Sequence, residues 1–325
     1  MTYTEESFND EQFDFQPEYS YEYCSFERVL IDERFEGSTF KGCTFSRCIF
    51  SAVSIELTDS QLTNCNVLSC FFDSCEPIDV TFTRTIFRMS TEVEIRFCTF
   101  VNCDLSSLYI SSLSYCQFDN CDLGDLLRVV AIECGFTGCC ATKVGFERLI
   151  GCVFTDCKWD ETFSASNQVR ETIFKDCDMK MSIFDECEIS DLSFLNCDCA
   201  GQTFTESSIQ QLSFEDCNTR SSVFSHCAIG ELSIKVNIDD APVETLFDSK
   251  AMSFEYSTVY ESYFTNVDAQ SSVFSLCEMS LTLEYCNISG SSFFDCSGEW
   301  FETDCIFACV TMDERSVEEL DICND

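Results

Sequence analysis

One histidine, His226, stands in a chain of 325 residues with 27 cysteines and 58 acidic side chains. With a single imidazole, a multi-histidine metal site is excluded and a His-based triad is not expected. His226 follows Phe224 at an outward position of the pattern described below and reads as a surface residue. Cys139-Cys140 and Cys197-Asp198-Cys199 lack the spacing of paired zinc ligands. Carboxylates are so frequent that no pair is distinctive, and a glycosidase needs one raised-pKa acid in a cleft. No glycine-rich phosphate loop occurs, and the sequon Asn287-Ile288-Ser289 matters only for a secreted chain. The expectation is a protein with no catalytic residue, no metal and no cofactor.

The elements that would carry these residues follow from a repeat. Phe174, Phe184, Phe194, Phe204, Phe214 and Phe224 recur every ten residues, and Met179, Ile189, Cys199, Ile209, Thr219 and Ile229 fall half-way. The period is five, with small residues such as Cys177, Ser182 and Cys187 two before each centre. Five matches neither the 3.6 of a helix nor the 2 of a strand. It suits a chain that turns a corner every five residues, so four sides close a coil of twenty. Such a coil stacks Phe154, Phe174, Phe194, Phe214 and Ile234 on one side, and Val169, Ile189, Ile209 and Ile229 on another. From Cys152 to Ile234 the phase holds without a slip. Fixed periods of this kind dictate architecture before any site is considered.

Segments such as Cys43-Thr44-Phe45-Ser46-Arg47-Cys48-Ile49-Phe50 and Thr172-Ile173-Phe174-Lys175-Asp176-Cys177-Asp178-Met179 resemble the pentapeptide-repeat family. The resemblance implies an all-β fold, a right-handed quadrilateral β-helix forming a single elongated domain. The expected organisation is an acidic aromatic arm or cap over residues 1–23, the β-helix over 24–310, and a short acidic tail or cap over 311–325. The arm reads as a tail capping the first coil or as a docking arm. The tail is expected to hold one helical turn at Ser316–Leu320. Phase shifts near Glu76–Val93, Tyr115–Cys116, Leu123–Cys134 and Phe146–Cys152 call for bulges or projecting loops. Gly124 to Val130 is the most loop-like or helix-like stretch. Residues 235–251 lose the signal and are either a degenerate coil or a loop of equal length.

The cysteines fall on the small inward position, where a buried thiol acts as a small hydrophobe. They are expected to be free. Met1 to Glu6 shows neither a basic nor an apolar leader, so the expected location is the cytoplasm of a bacterium, or of a host cell for a phage-encoded protein. No apolar run reaches membrane-span length, and a membrane partner is not expected.

Charge carries the functional signal. With 18 basic side chains the formal charge is −40, which excludes binding nucleic acid by charge. Outward carboxylates stack as the inward residues do. Asp156, Asp176 and Asp216 form one ladder with Asn196; Glu171, Asp191 and Glu231 form another with Gln211; Glu186 and Glu206 stand on a third side. At ~4.8 Å per coil the repeat region carries roughly one net charge per ~2.4 Å, against ~1.7 Å for duplex DNA. Between two acidic stretches, residues 141–181 form a nearly neutral waist with Lys143, Arg148, Lys158, Arg170, Lys175 and Lys180. The resemblance extends to the acidic quinolone-resistance and gyrase-protection members of the family. It implies a DNA mimic acting on a protein with a cationic DNA-binding groove: DNA gyrase or another type II topoisomerase, or a nuclease, defence or repair enzyme. It leaves the oligomeric state open, a dimer being one alternative. The alternative function is a non-catalytic interaction scaffold with no DNA-related target.

Overall fold

The computed structural model describes residues 2–9, 18–32, 35, 37–51, 55–58, 61–63, 66–68, 81–83, 86–159, 163–235, 247–248, 250–313, 316 and 320–324. Side chains are defined outside 51–94, 107–109, 247–248 and 320–324. Contacts divide the chain into two compact units, residues 1–146 with 157–161 and residues 147–156 with 162–325. The sequence points to one domain. A solenoid coil touches only its neighbours, so no central core draws every coil into one cluster.

The second unit shows the regular coil. Residues twenty apart lie side by side in parallel ladders: Val153 beside Ile173, Phe174 beside Phe194, Thr203 beside Val223, and Ile209 beside Ile229. Corners fall at Asp176, Met181, Glu186, Asp191 and Asn196, each with φ between 51° and 56°. One left-handed residue breaks the extended backbone and turns the chain. Between corners each side points two residues inward, such as Cys177 with Met179 and Leu192 with Phe194, all buried. The rings stack coil on coil. Phe154, Phe174, Phe194 and Phe214 lie 4.7, 5.3 and 5.0 Å apart, and Phe184, Phe204 and Phe224 lie 4.8 and 4.9 Å apart.

The small inward position has a reason beyond size. Cys197 Sγ donates to the carbonyls of Leu195 and Phe174 at 3.3 and 3.4 Å, and accepts the N–H of Cys177 at 3.5 Å. Ser207 does the same with Thr205, Phe184 and Cys187. A corner leaves backbone groups outside the ladder, and buried ones must find partners. Cys and Ser interchange here because each supplies a donor and an acceptor in a small volume. The cysteines described are free thiols, and all but Cys140, Cys305 and Cys309 are buried.

Between Cys152 and Ile234 the phase does slip: Thr155 pairs with Lys175, twenty on, and Ser164 with Ile183, nineteen on, and a bulge between Ser166 and Asn167 restores twenty. Farther on, Val223 pairs with Ser253 and Ile234 with Phe264. That coil is therefore thirty residues long, ten more than its neighbours, and neither expected form of 235–251 has the right length. Phe224 and Phe254 still stack at 4.8 Å. Phe247–Asp248 returns as a strand beside Val267–Asp268; residues 236–246 and 249 lie outside the described set.

In the first unit the coil shortens. Thr99, Gln117 and Gly135 pair in succession, eighteen residues apart. Left-handed residues at Asn120, Gly124, Arg128, Glu133 and Gly138 give sides of four, four, five and five. Two short sides account for the phase shift from Leu123 to Cys134; no projecting loop is involved. Residues expected as loop or helix form the strand Asp125–Ile132. Gly124 is obligatory, since a Cβ would lie 2.5 Å from the Ser106 backbone.

The termini also differ from expectation. Thr2–Thr4 pairs with Ser20–Glu22 and Ser7–Asn9 with Ser25–Glu27, so both ends of the expected arm already belong to coils. Phe8 stacks on Phe26 at 4.8 Å and Tyr21 on Phe40 at 4.9 Å. Phe13 and Phe15 lie outside the described residues. At the other end Thr311–Met312 and Leu320–Asn324 pair with the preceding coil, and Ser316 Oγ accepts the Cys296 N–H at 2.9 Å. Ser316 is helical and Leu320 lies in a strand; 317–319 lie outside the described set.

Candidate functional site: the acidic corners

The eight carboxylates singled out in the sequence are Asp156, Glu171, Asp176, Glu186, Asp191, Glu206, Asp216 and Glu231. Seven stand on corner residues in the left-handed region, with φ of 51°, 48°, 54°, 51°, 55°, 49° and 54° from Asp156 to Asp216. Asp and Asn tolerate that region through short local hydrogen bonds, whereas a longer L side chain pays about 1–2 kcal/mol. Glu171, Glu186 and Glu206 hold it nonetheless. Six of the eight are exposed; Asp216 and Glu231 are half-buried.

Register sorts them into lines. The N–H of Asp176 donates to Leu195 O and that of Asn196 to Glu215 O, which carries one corner from Asp156 through Asp176 and Asn196 to Asp216. A second corner holds Glu171, Asp191, Gln211 and Glu231, the last two paired across the ladder. A third holds Glu186 and Glu206 and continues into His226 and Tyr256. Like charges ~4.8 Å apart repel by about 0.9 kcal/mol even in water. The two amides interrupt this. Asn196 Nδ2 donates to Asp176 Oδ1 at 2.6 Å and Gln211 Nε2 to Glu231 Oε2 at 3.2 Å.

The fourth corner is different, and the sequence reading missed it. Met181, Gly201, Ser221, Ala251, Ser271, Gly290 and Cys309 occupy it, with no charge among them. The carboxylates therefore cover three adjacent corners and leave one bare. Met181, Gly201 and Ser221 stand twenty apart, five after Asp176, Asn196 and Asp216, but Glu161, five after Asp156, and the later spacings of thirty and nineteen break the pattern in the sequence.

Beside the bare corner runs a second polar line, also missed: Asp178, Asp198 and Asn218, bridged in register. Lys180 Nζ reaches Asp178 at 3.2 Å and Asp198 at 2.8 Å, and hydrogen bonds to Asp198 and then Asp178 raise its pKa. Arg170 lies 3.6 Å from Glu188. Two cations of the neutral stretch are thus held by local carboxylates. His226 is exposed, its Nδ1 2.9 Å from Ser225 Oγ and its ring stacked on Tyr256. Among the described residues, no three His, Cys, Asp or Glu side chains converge as metal ligands, and no helix is long and apolar enough to cross a membrane.

The five-residue register defines the chain as a pentapeptide-repeat β-helix, all-β and parallel. No protein-family profile and no curated protein matches it. Among solved structures it is similar to trypsin-treated QnrB1, a plasmid-mediated fluoroquinolone resistance protein, at 17% identity over 70% of this chain and 90% of that one, TM-score 0.21. It is also similar to HetL, a pentapeptide repeat protein involved in heterocyst differentiation regulation from the cyanobacterium Nostoc, at 11% identity over 82% and 87%, TM-score 0.19. A mannuronic acid specific polysaccharide family 6 lyase from human gut microbiota matches at 9% identity over 98% and 91%, TM-score 0.29. Scores this low carry nothing about function; the chain's own register establishes the fold.

Proposed function

We propose that this β-helix is a DNA mimic: its acidic corners occupy the cationic DNA-binding groove of a partner enzyme, such as a type II topoisomerase, a nuclease or a repair enzyme. The protein acts by binding, without catalysis of its own. The observation that carries this reading is the set of carboxylate lines on three adjacent corners, their members one coil apart except where Asn196, Gln211 and His226 interrupt them. A polyanion read by a protein is defined by regularly spaced charge rather than by any one group. Successive carboxylates such as Asp156 and Asp176, or Glu186 and Glu206, also keep mutual repulsion, a cost that solubility alone does not require.

The test is a charge-neutralised variant. Asp176, Asp191 and Asp216 are changed to Asn, and Glu206 and Glu231 to Gln. Asn suits a left-handed corner, so the fold should persist or gain stability. Inhibition of DNA gyrase, and of a panel of DNA-binding enzymes, is then measured against salt. The wild type should inhibit at least one, with a steep loss between 50 and 200 mM salt, as DNA binding itself shows. The variant should not inhibit. Full inhibition by the variant, or none by the wild type across the panel, leaves a non-catalytic scaffold as the function.

A further inference from the structure

On the third corner the line changes character along the unit. Glu186 and Glu206 give way to His226, Tyr256 and Leu276, all with φ between 49° and 55°. The His226 and Tyr256 rings stack at 4.9 Å and 12°. Tyr256 is 57% exposed, and Tyr260, on the side that leaves this corner, is 42% exposed. The residue one coil before Tyr260 is Gly230, because Ile229 pairs with Val259. No side chain at that position covers the Tyr260 ring.

Carboxylates frame these rings. Glu255 and Glu261 adjoin Tyr256 and Tyr260 in the chain and are exposed. A hydrogen bond to Glu278 raises the pKa of the Tyr260 hydroxyl, which donates to that carboxylate. Among the described residues no ion pair engages Glu255, Glu261 or Glu278, and Lys250, the nearest cation in sequence, is bound to Asp268 at 3.1 Å. The exposed Tyr260 ring, with no side chain over it at Gly230 and the His226–Tyr256 stack beside it, is bordered by carboxylates that make no ion pair, and complements a planar cation. A guanidinium can lie flat on a tyrosine and fork onto a carboxylate; an ammonium cannot do both.

We propose that the Tyr256–Tyr260 face docks an arginine-bearing segment of a protein partner. This rests on the reading of the acidic corners as a protein-binding surface, and adds to it a local preference for arginine over lysine. The corners supply charge attraction that treats every cation alike, and the tyrosines discriminate.

The test uses the full chain and two labelled peptides, nine arginines and nine lysines, titrated by fluorescence anisotropy at the same ionic strength. The arginine peptide should bind at least five-fold more tightly. Changing Tyr256 to Asn and Tyr260 to Ser together should weaken it about 5- to 20-fold and leave the lysine peptide within two-fold. Changing both to Phe keeps the rings and should keep most of the preference. Both residues are exposed, so melting curves should match the wild type; a variant that fails to fold is replaced by the single changes. Equal affinity for the two peptides, or a preference that survives loss of both rings, overturns the proposal. The charge-neutralised corner variant separates the two readings: it should weaken both peptides alike while the arginine preference remains. A preference for arginine in a protein that inhibits no DNA-binding enzyme would sustain this docking face and sink the DNA mimic.

Discussion

Replacing Phe194 with Ala tests the architecture at its most repetitive point. Phe194 has 0% exposure and lies between Phe174 and Phe214, with ring centroids at 5.3 and 5.0 Å. Phe184 meets it edge-on at 6.1 Å. Removing a buried phenyl ring costs roughly 3–5 kcal/mol, and more where the cavity cannot collapse. Here the flanking strands are held by parallel ladders on both sides, so the expected loss is in the upper half, about 4–5 kcal/mol. Phe194→Leu keeps most of the volume and forfeits the ring pairs, worth about 0.5–1.5 kcal/mol each, so its loss should be about 1–3 kcal/mol. Urea titration followed by circular dichroism gives the totals. Hydrogen exchange gives the location: protection should fall most in the coils holding Phe174, Phe194 and Phe214, and least around Phe100 and Phe118 in the other unit. A loss below about 1 kcal/mol for the alanine variant, or protection lost evenly along the chain, would refute column packing with nearest-neighbour coupling.

Asn196→Asp should destabilise by about 1–2 kcal/mol, because it removes the bond to Asp176 and sets like charges a coil apart; most of that loss should return in 1 M salt, and a salt-independent loss would show that charge is not its cause. Gly298→Ala should cost at least about 2–3 kcal/mol in chemical denaturation, since φ is 129° and a Cβ would lie 1.8 Å from Met279 O; a neutral substitution would mean this backbone contact is wrong. Burial pushes the thiols of Cys43 and Cys187 up to about 12. A thiol in the unfolded chain ionises near ~8.5. The stability this contributes is therefore intact below that pH and is lost as pH climbs towards 12. Melting temperature should be flat up to pH 8 and fall above 9, and iodoacetamide should label these thiols in the folded protein far more slowly than a small thiol at pH 9. Fast labelling of Cys187 in the native state would contradict its burial.

The repeat was legible wherever four sides of five residues follow one another, because inward positions then recur at one fixed spacing. It was hidden where sides shorten. Phe8 and Phe26 occupy one column but stand eighteen apart, so a search at twenty sees an aromatic tail where there is a coil. Corner residues were hard to recognise by type. Asn102, Asn120 and Gly138 fit a left-handed residue, but Arg47, Phe97, Tyr115 and Leu276 take the same conformation. The closed coil imposes it, and local preference does not announce it. The acidic lines on three corners were readable from spacing alone. The bare fourth corner and the aromatic stretch after His226 were not, the latter because the thirty-residue coil shifts every later residue by ten.

The ladders of this fold run from coil to coil, so a pull on the chain end peels hydrogen bonds one after another instead of shearing many together. Force spectroscopy should then show a staircase of low, similar forces rather than one high rupture. The spacing of the steps would read out coil length directly: about 65 Å for a twenty-residue coil and about 55–60 Å for an eighteen-residue one, from the reach of extended chain. The coil from Val223 to Ser253 should appear once, as a step of about 95–100 Å, a built-in fiducial mark in the unravelling trace.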